Sequence, residues 1–221
     1  MTDDSTNMSD QWVANALKMN PCVLLARSGN ILTCPVRLSF PDVFTRAKPV
    51  EIGKEGKFQS NLVFPPAADL SLLYEAAEAA AKAKWPNIGQ KGGPKIKMPF
   101  KNQSDMMDRY DGYAAEGVYL ICPSDRKPTV YDQRQKPVTD PERIYPGVWA
   151  CVSINPFTYD KGVNKGVSFG LNDLMIVADD KRLGGGGSSP SDFAGIKLDA
   201  SVSGDGVFGG DEDAAAAKLF S

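Results

Sequence analysis

The sequence predicts a mainly β domain, a small closed barrel of strands interrupted by one helix and followed by an acidic tail. Three observations carry that prediction. Apolar and polar residues alternate with a period of two in "ILTCPVRLSF" (31–40) and "GVWACVSIN" (147–155). A segment rich in Ala, Leu, Glu and Lys, "AADLSLLYEAAEAAAKAK" (67–84), has the composition of a helix. From Leu183 the chain turns to Gly and Ser, "LGGGGSSPSD", and then to a cluster of carboxylates.

Residues 1–10 contain Asp3, Asp4 and Asp10 and no base, and are expected to be disordered. "WVANALKM" (12–19) reads as a short helix or an apolar arm. In 31–40, Leu32, Cys34, Val36, Leu38 and Phe40 form the apolar set, and Pro35 on the wet face marks an edge or a bulge. "GKEGKFQSNLVF" (53–64) is a turn leading into a strand that Pro65-Pro66 stops. In the helix, Leu70, Leu73, Tyr74 and Ala77 share one face, and Trp85-Pro86 ends it. Strands return at 117–122, 128–132, 147–155 and 166–179. The expected organisation is a disordered acidic N-terminus (1–10), one domain (11–184), and a flexible linker with an acidic tail (185–221). Strands, one helix, then strands again is the order of the five-stranded OB barrel, whose helix sits between its third and fourth strands.

The net charge of −2 hides an asymmetry. Residues 11–184 hold 23 Lys and Arg against 18 Asp and Glu, a net of +5, while both ends are acidic. Histidine is absent, so no Ser-His or Cys-His pair can activate a nucleophile. Cys22, Cys34, Cys122 and Cys151 are scattered, which argues against zinc and for free thiols in a reducing compartment. "GQKGGPK" (89–95) lacks the spacing and the Ser or Thr of a phosphate loop. No signal-peptide pattern and no apolar run of about 20 residues is visible, so a soluble cytoplasmic protein is expected. The expectation is no enzyme, no cofactor and no metal.

What remains points to a polyanion. Between Lys82 and Lys101 stand six lysines and no acid, and Gly89, Gly92, Gly93, Pro94 and Pro99 keep Lys91, Lys95, Lys97 and Lys101 on a loop. A mobile run of positive charge suits phosphates, whose neutralisation releases counterions. Aromatic rings interleave with base elsewhere. Alternation in 147–155 places Trp149 on the wet face of its strand, and "PFTYDKGVNKG" sets Phe157, Tyr159, Lys161 and Lys165 on an expected hairpin loop. Arg109, Tyr113 and Arg134 belong to a second such mixture. Positive grooves with stacking rings bind single strands regardless of sequence. The tail then has a reading of its own. Asp205, Asp211, Glu212 and Asp213 can stand in for phosphates and Phe220 for a base, or the segment can reach basic partners.

The second half of the chain resembles the replicative single-stranded-DNA-binding proteins of tailed bacteriophages. The resemblance lies in "KPTVYD", "IYPGVWACVSI", "NKGVSFGLNDLMIV" and "DDKRLGG", across roughly residues 113–187, and in an acidic tail with an aromatic near its end. It implies an OB fold that coats single strands in phage DNA replication and recombination, in the host cytoplasm. It also implies a tail that recruits replication proteins such as a polymerase or helicase. Double-stranded DNA is expected as a weaker ligand and a homodimer is admitted. Two alternatives stand beside it: a structural virion protein that does not bind DNA, and a metal-dependent nuclease using Asp105, Asp108 and Asp111.

Overall fold

The computed structural model describes residues 5–49 and 53–183. The tail residues Asp205, Asp211, Glu212, Asp213 and Phe220, and the whole segment 185–221, lie outside the described residues. The chain begins with α1 (Ser5–Met19), which opens well before Trp12, followed by β1 (Val23–Leu24), β2 (Ile31–Leu32), β3 (Val36–Asp42) and β4 (Phe58–Val63). Then come α2 (Ser71–Lys84), β5 (Lys101–Asn102), α3 (Ser104–Met107), β6 (Val118–Ser124) and β7 (Val130–Tyr131). A long hairpin of β8 (Trp149–Lys161) and β9 (Asn164–Ala178) completes the domain.

Five strands curl into a barrel in the order β3-β4-β6-β9-β8 and back to β3. Antiparallel ladders join β3 to β4, β4 to β6, β8 to β9 and β8 to β3. β6 packs beside β9, and Arg126 bridges there by donating to the Asn172 carbonyl (3.2 Å) and the Asp173 carboxylate (3.1 Å). This curled sheet, closed between β6 and β9 by packing and not by a ladder, is consistent with the OB-like barrel that the strand order predicts, with one difference. α2 lies between the second and third barrel strands, where an insertion from 64 to 117 separates β4 from β6. Its apolar face explains the placement, since Leu73, Ala77 and Ala81 are buried against β8 and β9. Tyr74, predicted on that face, lies 45% exposed at its margin and packs on Phe100, centroids 4.1 Å apart.

The inward sets are those that alternation predicts: Val36 and Leu38 from β3, Leu62 from β4, and Ala150, Val152 and Ile154 from β8, all fully buried. The alternation from 31 to 40 fails at its ends. At one end Ile31 and Thr33 are buried while the predicted Leu32 is only partly so, and at the other, Phe40, a bulge with φ +49° turns an aromatic ring outward to 40% exposure. All four cysteines are free, and burial pushes the Cys122 thiol well above its ordinary range. No described helix is long and apolar enough to cross a membrane.

Candidate nucleic-acid interface

β8 continues six residues beyond the predicted strand. Phe157 and Tyr159 therefore sit on paired backbone and not on a loop. The hairpin closes at Gly162-Val163, where φ +66° at Gly162 suits a two-residue turn. On the inner side of this ribbon, Val167 and Phe169 are buried and tie it to the barrel. Phe157 and Tyr159, about 7 Å apart along the strand, lie on the outer side and are half-exposed.

The cross-strand neighbours of these rings are small. Asn155 faces Gly170, Phe157 faces Ser168, and Tyr159 faces Gly166. A side chain at 166 would meet the Tyr159 hydroxyl at 2.8 Å and collide with the Lys97 carbonyl oxygen. Glycine there lets the lysine loop run against β9, where the Lys97 amide donates to the Lys165 carbonyl (3.0 Å) and the Val167 amide donates to Lys97 (2.9 Å). The structure thus brings Lys97, Phe157, Tyr159 and Lys161 to one face of the ribbon, drawn from two segments about 60 residues apart in sequence, while Lys165 alternates with Asp160 to the other face. Lys97 and Lys161 are exposed, and Lys165 pairs with Asp160 at 3.6 Å. Lys91 and Lys95 continue the same loop, both exposed.

Other predicted residues lie elsewhere. Lys101 is on β5, opposite Tyr119. Tyr113 is 8% exposed, accepts from Asn61 Nδ2 at 3.2 Å and packs edge-on against Tyr119. Its ring is core-like, and it covers the outer face of β4 and β6. Arg134 sits on a tight turn held by Asp132, whose Oδ1 accepts from the amides of Arg134 and Lys136. Trp149 is not the open platform that alternation suggests. It does face away from the barrel interior, but Trp12 of α1 packs on it (centroids 5.5 Å) and its exposure is 7%. Trp149 Nε1 donates to Asp180 at 2.8 Å, and the Arg37 guanidinium stands 5.7 Å from the ring. Burial lowers the Arg37 pKa, and Asp180 at 3.3 Å opposes that shift. Asp105, Asp108 and Asp111 do not gather into a metal-binding group, and the described residues hold no cluster of three or more potential ligands.

The family described as "Enterobacter phage Enc34, ssDNA-binding protein" matches residues 29–205. The chain belongs to this family. The single-stranded DNA-binding protein of bacteriophage Enc34, solved in complex with ssDNA, superposes with a TM-score of 0.59 at 20% identity, over 74% of this chain and 93% of that one. Its C-terminally truncated form gives 0.61, also at 20% identity, over 74% and 92%. The single-stranded DNA-binding protein gp2.5 of bacteriophage T7 gives 0.51 at 17% identity, over 71% and 96%. At these identities the superpositions carry the fold. No curated protein matches the sequence. The Enc34-family match takes in the whole barrel and the ribbon and leaves out α1, the element that covers Trp149.

Sequence reasoning missed Phe40, Arg37, Arg182 and Trp12 as members of surface clusters. Nothing in the local pattern marks a positive φ at Phe40, and the other three become neighbours of site residues only through the fold.

Proposed function

We propose that this member of the Enc34 family is a non-enzymatic, sequence-tolerant single-stranded-DNA-binding protein of phage DNA replication and recombination, working in the host cytoplasm. The observation that carries the reading is the ribbon. Two half-exposed rings stand side by side on a hydrogen-bonded strand, with Lys161 on the same face and Lys97 bridged to it at Gly166. Bases stack on the rings without regard to identity, and the lysines follow the phosphates, with Lys91 and Lys95 extending the positive track along the loop. Double-stranded DNA offers the lysines its phosphates but withholds its base faces, so it binds more weakly. The family relationship and the bound strand in the Enc34 protein support the same reading.

The tail completes the proposal. Asp205, Asp211, Glu212, Asp213 and Phe220 compete for the basic track when DNA is scarce and reach replication enzymes when it is filled. Binding of fluorescein-labelled oligo(dT), followed by polarisation at low and moderate salt, tests both parts. The expected result is a dissociation constant that rises with salt, and tighter low-salt binding for the chain ending at Gly187. Absence of binding at low salt overturns the single-strand reading. Unchanged or weaker binding after truncation overturns the competing tail alone.

A further inference from the structure

Away from the ribbon, at the other end of β8, the outer face of β3 carries a second cluster. The bulge that turns Phe40 outward sets its ring edge-on against Tyr110, centroids 5.0 Å apart and planes at 89°. The two rings, 40% and 38% exposed, form the corner of a cavity of about 430 Å³. Arg109 and Arg182 line the same cavity, together with Asp111 and Leu183. Arg109 has no ion-pair or hydrogen-bond partner for its guanidinium among the described residues, and Arg182 meets only the Tyr145 ring at 4.5 Å.

Three features of this cluster call for a ligand. A bulky aromatic residue at positive φ is a true backbone outlier, and such strain persists where a ligand clamp needs it. Two exposed rings meeting at a right angle offer a floor and a wall to a flat group. Two guanidinium groups against one carboxylate leave net positive charge beside them, in the fork geometry that suits phosphate. The cavity also falls within the usual volume of small-ligand sites.

We propose that this pocket is a nucleotide site, in which a base packs into the Phe40–Tyr110 corner and its phosphate meets Arg109 and Arg182. Within a bound strand it is a second anchor, set beside Pro146 just before β8 begins and so far from the ribbon at the strand's other end. In that role the inference rests on the single-strand reading. A free nucleotide presents the same chemistry, and the experiment separates the two sources.

Oligonucleotides of about 20 nucleotides, longer than the site of one barrel, and of about 5, near its lower end, are titrated against the full chain and three variants. Tyr110→Ala and Arg109→Gln should each weaken binding of the longer strand, Tyr110→Ala by about 5- to 150-fold, while leaving the shorter one unchanged. Phe157→Ala should weaken both. Strands carrying 5-iododeoxyuridine should, on irradiation, form adducts on Phe40 or Tyr110 in addition to Phe157 or Tyr159. Circular dichroism confirms that the variants fold. If the parent binds the long strand, adducts map to the ribbon alone and both pocket variants behave as the parent, the pocket proposal is overturned and the ribbon reading stands. If no strand binds but thymidine monophosphate does, and Tyr110→Ala abolishes that binding, the pocket takes free nucleotides and the single-strand reading fails. If neither ligand binds, both fail.

Discussion

The two halves of β8 share one strand and one alternation, yet their outer faces have opposite fates. At Trp149 and Cys151 the outward residues are covered: Trp149 is sealed by Trp12 and tied to Asp180, and Cys151 is 4% exposed. From Ser153 to Tyr159 the outward residues are half-exposed and Lys161 is exposed, with glycine opposite Asn155 and Tyr159. The period-two pattern decides which side chains point into the barrel. Whether the other side is wet depends on what a remote segment lays over it, here α1 and the turn after β9. An aromatic residue on the "polar" face of a strand therefore serves as structure in one half and as a binding platform in the other.

Trp149→Ala should break this comparison most sharply. The ring is buried and its N–H is bonded, so truncation should cost about 3–5 kcal/mol in urea unfolding. Oligo(dT) affinity of the protein that remains folded should stay within about threefold of the parent, less than a base stack contributes. A small stability loss with a large affinity loss would make Trp149 the platform and reverse the assignment of the two halves. The distal half should respond the other way. Phe157→Ala and Tyr159→Ala should each weaken oligo(dT) binding by about 5- to 150-fold at low salt, with stability changes below about 1 kcal/mol. Equal affinity in either variant would remove that ring from the interface.

The lysines sharpen the ribbon side further. Lys97→Ala and Lys161→Ala should each reduce the slope of log K against log salt by about 0.7, one single-strand phosphate contact apiece. Lys165→Ala should do less, because Asp160 already shares its charge at 3.6 Å. A slope unchanged by Lys97→Ala would take the lysine loop out of the DNA path.

How much of this was legible depends on the range of the interaction. The barrel strands could be read because burial of Val36, Leu38, Ala150, Val152 and Ile154 follows directly from backbone periodicity. The helix could be read because Ala, Leu, Glu and Lys favour it and two prolines bound it. Its start slipped from 67 to 71, where Asp69 accepts from the Ser71 amide (2.9 Å) and hydroxyl (2.6 Å). Phe157, Tyr159 and Lys161 are recognisable as a group from their nearness in sequence, although Gly162 and the charges around it read as a loop where the chain continues as paired strand. The closeness of Lys97 to them was not, since it depends on a bridge to Gly166 across the fold. The covering of Trp149 by Trp12 was equally hidden, because a helix of modest amphipathicity does not announce what it will pack on.

Cys151 gives the finest test of the covered half. Its thiol lies beneath that cover, and burial pushes its pKa up to about 11, with the nearby Cys22 adding to the shift. In the unfolded chain a cysteine titrates near about 8.5. Between those values the unfolded state has lost the proton and the folded state keeps it, so stability must fall as pH rises through that window. Below about pH 8 the contribution is fully present, and by pH 10 the loss from this one group is about 1–2 kcal/mol. Urea midpoints measured from pH 7 to pH 10 should therefore decline for the parent. They should decline less steeply for Cys151→Ala; Cys34 and Cys122, also held neutral in the fold, keep part of the slope, and Cys22, whose pKa its contact with Cys34 lowers, opposes it. Parallel curves for parent and variant would mean that the Cys151 thiol ionises freely in the folded protein. The cover would then end before Cys151, and the closed part of the outer face would shrink to Trp149 under Trp12.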